Sequence, residues 1–240
     1  MGFISHLRVV SEADKTKAIE KLITDSTPDF DFFLMATLSV LMATFGLLLD
    51  SAAIVIGSML IAPILYPTVS LGLGVSLSDY KLIGRSFSAV VKAMLLGIIG
   101  AVLVTLFANT GEYLTSEVVA RTTPSLLYFV VAVISGIAVS YSLVKPKLSE
   151  TLPGVAVSVA LIPPLATVGV GIANVDWDVV AGSLVLFLVN IVGIIFAAMV
   201  SFSLMDVHGK RKVAASAIEK EERRVEREEK KIEKVEEADY

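Results

Sequence analysis

Two pairs of proline residues stand in long apolar stretches of this sequence. They are Pro63 with Pro67 and Pro163 with Pro164. Proline has no N–H and clashes with the preceding helical turn, so each pair is expected to interrupt an α-helix. In lipid, the freed carbonyl groups must face protein, water or a ligand. An ordinary packing kink, satisfied by a nearby hydroxyl group or a water molecule, is the alternative at each pair.

Four hydroxyl side chains lie close to these prolines and are candidate ligands. Interrupted helices bring half-helix termini into the membrane, where N-termini attract anions and C-termini attract cations. A sodium ion held by carbonyl and hydroxyl oxygens, or an anion at the N-termini, fits this chemistry. The predicted substrate- or ion-binding residues near the breaks are Ser58, Pro63, Pro67, Thr68, Ser158, Pro163, Pro164 and Thr167.

Two further polar residues complete the candidate site. Lys92 is the only basic residue inside a predicted span, and Asn190 is its approximate counterpart in the last span. An ionisable group within a membrane is a functional hypothesis by default. The alternatives are a lysine that extends to the interface and an asparagine that hydrogen-bonds between helices.

Hydropathy places these residues in a polytopic helical membrane protein. The chain is 55% hydrophobic, and 21 of its 44 charged residues lie in residues 206–240. About 20 apolar residues cross a bilayer. The sequence therefore predicts an all-α fold with about six transmembrane helices, at residues 32–49, 52–77, 86–108, 126–144, 153–175 and 179–205.

An internal repeat relates the two halves of this region. Residues 50–63 match residues 150–163, residues 68–74 match 167–173, and Gly97-Ile98-Ile99 recurs as Gly193-Ile194-Ile195. The copies would be residues 32–108 and 126–205. Each contains three spans, so the second copy must be inverted relative to the first. Inverted repeats are common in secondary transporters, which bind substrate near the midplane between the repeats.

The charge distribution predicts the orientation and the flanking segments. Basic residues concentrate in connections that share one side if both termini are cytoplasmic, which agrees with the positive-inside rule. We expect residues 1–31 to form a cytoplasmic arm with short amphipathic helices, one of them capped by Ser11 with Asp14. Residues 206–240 should form a charged helical tail, either solvated or, if Ile218, Val225 and Ile232 pair with a second copy, an oligomerising stalk.

Two smaller patterns have structural interpretations. Asp50-Ser51 and Ser149-Glu150-Thr151 precede the interrupted spans and are explained by helix N-capping, with a gate or ion entry as the alternative. A stripe of small residues in the third span favours close packing, within the protomer or between protomers. Its members are Ala89, Ala93, Gly97, Ala101 and Thr105.

Several function classes lack support in the residues. The chain has no cysteine, and its histidines, His6 and His208, lie in opposite flanks, so we expect neither a metal site nor a cofactor. No catalytic motif is present, and an enzyme is not expected. Acidic residues match the basic ones in the tail, which argues against nucleic-acid binding.

Two motifs resemble a known family. Residues 57–63, Gly-Ser-Met-Leu-Ile-Ala-Pro, and residues 153–165, which include Leu161-Ile162-Pro163-Pro164-Leu165, resemble motifs of the domain-of-unknown-function 389 family of uncharacterised prokaryotic hydrophobic membrane proteins. Ser58 and Ile64 stand where alanine and leucine are usual. The resemblance covers about residues 30–205. It implies the cytoplasmic membrane of a bacterium or archaeon and supplies no activity.

The sequence therefore predicts a transporter or channel for a small solute or ion, with its site at the midplane between spans 2 and 5. Its partners would be the lipid bilayer, the solute or ion, and further copies in a homo-oligomer. The alternative is a non-transporting membrane scaffold or sensor that acts through its arm and tail.

Overall fold

The structure is a computed structural model that describes residues 10–108, 111–145, 148 and 161–238. These residues form helices and connections, with no strand among them. The α-helices of the described residues are, in chain order, α1 (Glu12–Asp25), α2 (Phe30–Leu48), α3 (Ala52–Ile61), α4 (Leu65–Leu77), α5 (Tyr80–Ala108), α6 (Ser116–Val119), α7 (Leu126–Val144), α8 (Ile162–Ala173), α9 (Trp177–Leu204) and α10 (Arg211–Ala238).

Several of these helices can cross a membrane. Within the described residues, α2, α5, α7 and α9 are long and apolar enough to do so, and α3 with α4 makes a fifth candidate if this bent pair is one span. Apolar helices of this number indicate a multi-pass membrane protein. Helix α8 is also apolar but shorter. The start of the fifth predicted span, from residue 153 to 160, lies outside the described residues.

Helix boundaries follow local capping. Ser11 accepts a hydrogen bond from the Asp14 backbone N–H at 3.1 Å, so the predicted cap of α1 is present. Asp29 caps α2 in the same way through the N–H of Phe32. Helix α5 begins at Tyr80 rather than at residue 86, because the Asp79 carboxylate accepts from the N–H of Leu82 at 3.0 Å.

The connections between helices gather at two ends of the bundle. At the arm end, Arg85 donates to Thr27 at 2.7 Å, and Lys15 donates to the carbonyl of Asp206. At the loop end, Thr115 donates to the carbonyl of Leu47 at 2.7 Å, and Tyr113 donates to Asp176 at 3.0 Å. Each end thus brings together segments that are distant in sequence.

The same helix–turn–helix unit occurs twice, 97 residues apart. Helices α4 and α8 begin at Leu65 and Ile162, and α5 and α9 begin at Tyr80 and Trp177. The turn between the helices has a left-handed residue each time, Ser78 at φ 51° and Val175 at φ 56°. In both turns the next residue is an aspartate.

Hydrogen bonds in the two turns also correspond. Asp79 N–H donates to Gly74, and Asp176 N–H donates to Gly171, both at 2.9 Å. The Asp176 carboxylate accepts from Val179 N–H at 3.1 Å, as Asp79 does from Leu82. These shared bonds define the register between the two units more sharply than their apolar side chains do.

Glycines let each short helix approach a long helix of the other half. A Cβ atom built on Gly72 of α4 would lie 2.6 Å from the Cβ of Ala198 in α9. Gly169 of α8 faces Ala101 of α5 at an even closer approach. Both partners are again 97 residues apart. Ser76 and Ser203 also lie 3.3 Å apart, so α4 and α9 run in the same direction.

This geometry corrects the register of the sequence match. The match paired Gly72 with Gly171, whereas the crossings and turns pair Gly72 with Gly169 and Gly74 with Gly171. Under the same 97-residue spacing Asn190 corresponds to Ala93, the residue next to Lys92, so the predicted pairing of Asn190 with Lys92 is approximate. Small and aliphatic residues can be aligned with one another in several registers. The aspartate caps and the left-handed turn residues of the two units coincide in only one register.

The small-residue stripe of the third span is buried inside the protomer. Ala89, Ala93 and Ala101 are at most 2% exposed, and a Cβ atom on Gly97 would touch Val40 of α2 and Leu165 of α8. Among the two alternatives raised by the sequence, the structure supports packing within one chain.

The tail differs from a freely solvated helix. The first half of α10 packs on α1, and Ala214 and Ile218 are fully buried. Ile218 is therefore not available for the seam of a stalk, while Ile232 and Val235 are exposed. This contact could not be predicted from the sequence because α1 and α10 are far apart in the chain.

The glycine crossings can be tested by single alanine substitutions. We expect Gly72→Ala and Gly169→Ala each to lower the stability of the purified protein by about 1–3 kcal/mol, because the added methyl group overpacks a helix crossing. Thermal unfolding in detergent measures this effect. Gly84→Ala is the matched control, since open space surrounds Gly84. Equal unfolding temperatures for all three variants would contradict the assigned crossings.

Candidate functional site

The first proline pair lies at a real interruption between α3 and α4. Helix α3 ends at Ile61, α4 begins at Leu65, and the helix axes differ by 52°. Ala62 has an extended backbone, with ψ at 120°. Pro63 lies in this link, and its carbonyl accepts from the N–H of Tyr66 at 3.1 Å. The interruption therefore satisfies one of its backbone carbonyls with a hydrogen bond from the adjoining first turn of α4.

Hydroxyl groups satisfy other backbone carbonyls at this interruption. The carbonyl of Ser58, in the last turns of α3, accepts from the side chain of Ser39 in α2 at 2.6 Å. The Ser58 hydroxyl itself donates to Val55 at 2.6 Å, and Thr68 donates to Ile64 at 2.8 Å. All three hydroxyl side chains are fully buried. Their protons are used within the protein, which leaves oxygen lone pairs for any bound cation.

The second proline pair opens α8. Pro163 and Pro164 are the second and third residues of this helix, where a missing N–H costs no helical hydrogen bond. Pro164 lies 97 residues after Pro67, which is the third residue of α4. Thr167 donates to the carbonyl of Pro163 at 2.8 Å. Ser158 and the segment before Leu161 lie outside the described residues.

The two short helices start deep in the bundle from opposite directions. At 1.5 Å per residue, α4 extends about 20 Å from its start to the arm end, and α8 about 18 Å from its start to the loop end. A hydrocarbon core is about 30 Å thick. Helix α8 packs against α3 as well as α2, α5 and α9. This contact brings α8 next to the helix that leads into the first interruption.

The remaining predicted site residues do not share one environment. Lys92 is exposed on the outer surface of α5, a position from which its side chain can extend to the interface. Asn190 is buried in α9, at 3% exposure. The structure brings Ser58, Thr68, Pro67 and Pro163 into the bundle interior, and it does not bring Lys92 there.

The sequence analysis missed Ser39, which closes the backbone of the interruption from a neighbouring helix. The only available signal was a polar residue within an otherwise apolar span. A second omission is Asp25, at the end of α1, since a buried carboxylate was sought only inside the spans. Burial raises the pKa of Asp25, an effect partly opposed by Lys21.

The capping role predicted for Asp50-Ser51 is wrong. Ser51 occupies the N-cap position of α3 without a side-chain hydrogen bond. The Asp50 carboxylate instead accepts from the hydroxyl of Ser116 at 2.7 Å and the N–H of Glu117 at 2.9 Å, and these donors lower its pKa. Asp50 therefore anchors the connecting segment over the loop end. Glu150, its predicted counterpart, lies outside the described residues.

Apolar helices, buried interruptions and paired turns define a multi-pass membrane protein of helical class. The model of the family described as "Domain of unknown function (DUF389)" matches residues 59–196, which include α4, α5, α7 and α8. The chain belongs to this family, as its two proline-containing motifs indicated. The family description carries no activity.

One curated relative is an uncharacterised protein of the archaeon Methanocaldococcus jannaschii. It is 34% identical over 179 residues, which cover 72% of this chain and 54% of the relative. The chain thus spans about half the length of this relative. No solved structure matches the chain.

The contact between Ser39 and the interruption gives a direct test. We expect Ser39→Ala to lower the unfolding temperature, because the buried carbonyl of Ser58 then loses its partner at a cost of about 1–3 kcal/mol. Thr37→Ala is the matched control, since Thr37 bonds only the carbonyl of Phe33 in its own helix. The assignment fails if both variants unfold at the same temperature.

Proposed function

We propose that this protein is a transporter or channel for a small solute or ion, with its site near the midplane between the interruption of α3–α4 and the start of α8. One observation carries the proposal: two short helices begin inside an apolar bundle, 97 residues apart in sequence, with proline at the third position of each. A purely structural bundle gains nothing from helix ends placed in hydrocarbon.

The proposed architecture has six crossings in two inverted repeats. Three facts support it: the turn containing Ser78 lies at the arm end and that containing Val175 at the loop end, α4 and α9 run in the same direction, and the two units share turn bonds. Helices that share a direction while their own turns lie at opposite ends belong to inverted units. Each short helix then packs on the long helix of the other repeat.

The helix ends define the chemistry available to a ligand. The last turn of α3 presents carbonyl oxygens. The buried hydroxyl oxygens of Ser58 and Thr68 lie nearby in sequence, and that of Thr167 lies in α8; such groups bind cations such as sodium. The starts of α4 and α8 carry partial positive charge and attract anions. Ser158 and Asn190 belong to the proposed site as well. Lys92, exposed on α5, would act at the rim rather than in the centre.

The proposed location is the cytoplasmic membrane of a bacterium or archaeon, with both termini in the cytoplasm. Lys81, Arg85 and Lys210 join contacts at the arm end, whereas Asp50, Tyr113 and Asp176 join contacts at the loop end. By the positive-inside rule, this distribution supports a cytoplasmic arm end. A homo-oligomer remains part of the proposal, whereas a cofactor, catalysis and nucleic-acid binding do not.

A membrane scaffold or sensor is the second candidate. The observation in its favour is that α1 and α10 pack together at the arm end. Ion pairs there join Lys210, just before α10, to Glu12 of α1 at 2.9 Å, and Arg224 of α10 to Asp29, the cap of α2, at 2.8 Å. Such an assembly can present a binding surface without any transport. Under this candidate the prolines only shape the helices.

Flux measurements distinguish these two candidates. Purified protein in proteoliposomes should pass sodium, or a small anion such as chloride or phosphate, above the level of empty vesicles. We expect the double variant Pro63→Ala with Pro163→Ala to lose this flux, because backbone N–H groups are restored at both interruptions. Pro124→Ala, in the exposed connection before α7, is the matched control. Flux unchanged in the double variant, or no flux with any of these ions, favours the scaffold.

The proposed orientation has its own test, which the absence of cysteine from the sequence makes simple. In intact cells, a membrane-impermeant maleimide should label Glu112→Cys and Asp178→Cys at the loop end. It should label Lys81→Cys and Lys145→Cys only after the cells are permeabilised. Labelling of Lys81→Cys and Lys145→Cys on opposite sides would eliminate the inverted six-span topology.

A further inference from the structure

Helix α1 occupies a gap between the two halves of the bundle. Helix α8 packs along α2, the first long helix of the other half, and closes that side directly. The corresponding helices α4 and α7 touch each other only briefly, and α1 packs against both of them. Leu22 and Ile23 of α1 are fully buried, and Ile19 is 1% exposed. Helix α1 thus lies between α4 and α7, at the position where α8 and α2 pack directly on each other in the other half.

The end of α1 reaches well inside the bundle. The hydroxyl groups of Ser26 and Ser70 lie 3.4 Å apart, and both residues are buried. Ser70 precedes the arm-end terminus of α4 by about two turns, which corresponds to a depth of about 10 Å. The same helix leads onward to Thr68 and Pro67 at the interruption. Helix α1 therefore lies across the arm-end approach to the proposed site.

The tail helix holds the end of α1 in this position. Glu221 of α10 accepts from Thr24 at 2.9 Å, and Arg224 pairs with Asp29 at 2.8 Å, one on each side of the inserted turn. Glu221 is only 6% exposed and also pairs with Arg224 at 2.7 Å. These bonds form one network, because Arg224 joins two acids that lie on different helices.

We propose that α1 is a plug that closes the arm-end entrance between α4 and α7, and that the Glu221–Arg224 pair of the tail latches it. Withdrawal of α1 leaves α4 with only its brief contact to α7 on that side, so that a path opens from the arm end along Ser70 to the interruption. The latch is ionic and half-exposed, and salt weakens such pairs more than it weakens buried apolar contacts. This inference rests on the proposed transport function for its physiological role, but not for its structure.

Maleimide labelling in lipid nanodiscs tests the plug without any transport. Ser70→Cys, as the only cysteine, should react slowly, because the residue is fully buried. Adding Arg224→Glu replaces attraction to Asp29 and Glu221 by repulsion, and we expect the labelling rate of Ser70→Cys to rise at least about tenfold. Arg227→Glu has the same charge change on an exposed position of α10 and is the matched control.

A second reporter separates opening from general loosening. Ser183→Cys is equally buried, near the loop end of α9, and its labelling should not respond to Arg224→Glu. An unchanged rate at Ser70→Cys overturns the plug. An equal rise at both reporters also overturns it, because the tail would then stabilise the whole bundle rather than the entrance.

A reversible lock tests the role of the plug in transport. In Ser26→Cys with Ser70→Cys, oxidation should join the two side chains and abolish ion flux in proteoliposomes, and reduction should restore it. Full flux in the oxidised protein overturns the plug as a gate. If neither the wild type nor the reduced variant passes any ion, the proposed transport is wrong, and the labelling experiment alone decides the plug.

Discussion

Backbone polar groups inside hydrocarbon must find partners within the protein, and the architecture of this chain depends on how it meets that constraint. The interruption between α3 and α4 removes helical hydrogen bonds in the middle of an apolar bundle. Ser39 supplies a donor to Ser58 from the neighbouring helix, and Tyr66 N–H supplies one to Pro63. Pro164 lies in a first turn, where no bond is lost. These local partners satisfy part of the backbone that the first interruption frees.

Close crossings at glycine connect the two halves into one body. Gly72 lets α4 approach α9, and Gly169 lets α8 approach α5, so each short helix is held by the opposite unit. The two halves are not packed alike, since α8 contacts α2 directly while α1 intervenes between α4 and α7. Interiors packed at high density resist gradual deformation. Under the proposed plug, movement between the halves is easiest at this interface, which α1 fills.

The family match and the flanking helices divide the chain into two kinds of structure. Residues 59–196 contain the short helices α4 and α8, all of α5 and most of α9. Helices α1 and α10 lie outside this range and pack on each other at the arm end, where Lys210 pairs with Glu12 and Arg224 pairs with Asp29. Apart from Ser58, which directly precedes this range, the proposed binding residues lie in the part shared with the family. The proposed latch belongs to the flanks of this chain, which can differ among relatives without disturbing the half-helices.

The sequence alone located the long apolar helices and the proline interruptions. Both follow from local properties, which are the apolar length of a span and the missing N–H of proline. The motifs of residues 57–63 and 153–165 were sufficient to indicate the family. The repeat was visible in the sequence, but its register was wrong, since aliphatic residues match in several alignments. The turns at Asp79 and Asp176 and the crossings at Gly72 and Gly169 distinguish these alignments.

Tertiary structure decided which surfaces meet. The bond from Ser39 to Ser58, the burial of Ile218, the exposure of Lys92 and the insertion of α1 beside Ser70 all depend on the relative placement of helices. From the sequence alone, a polar residue in an apolar span looks the same whether its side chain faces lipid, another helix or a ligand. Its role is determined by the neighbour it reaches, and that neighbour is set by packing between segments far apart in the chain.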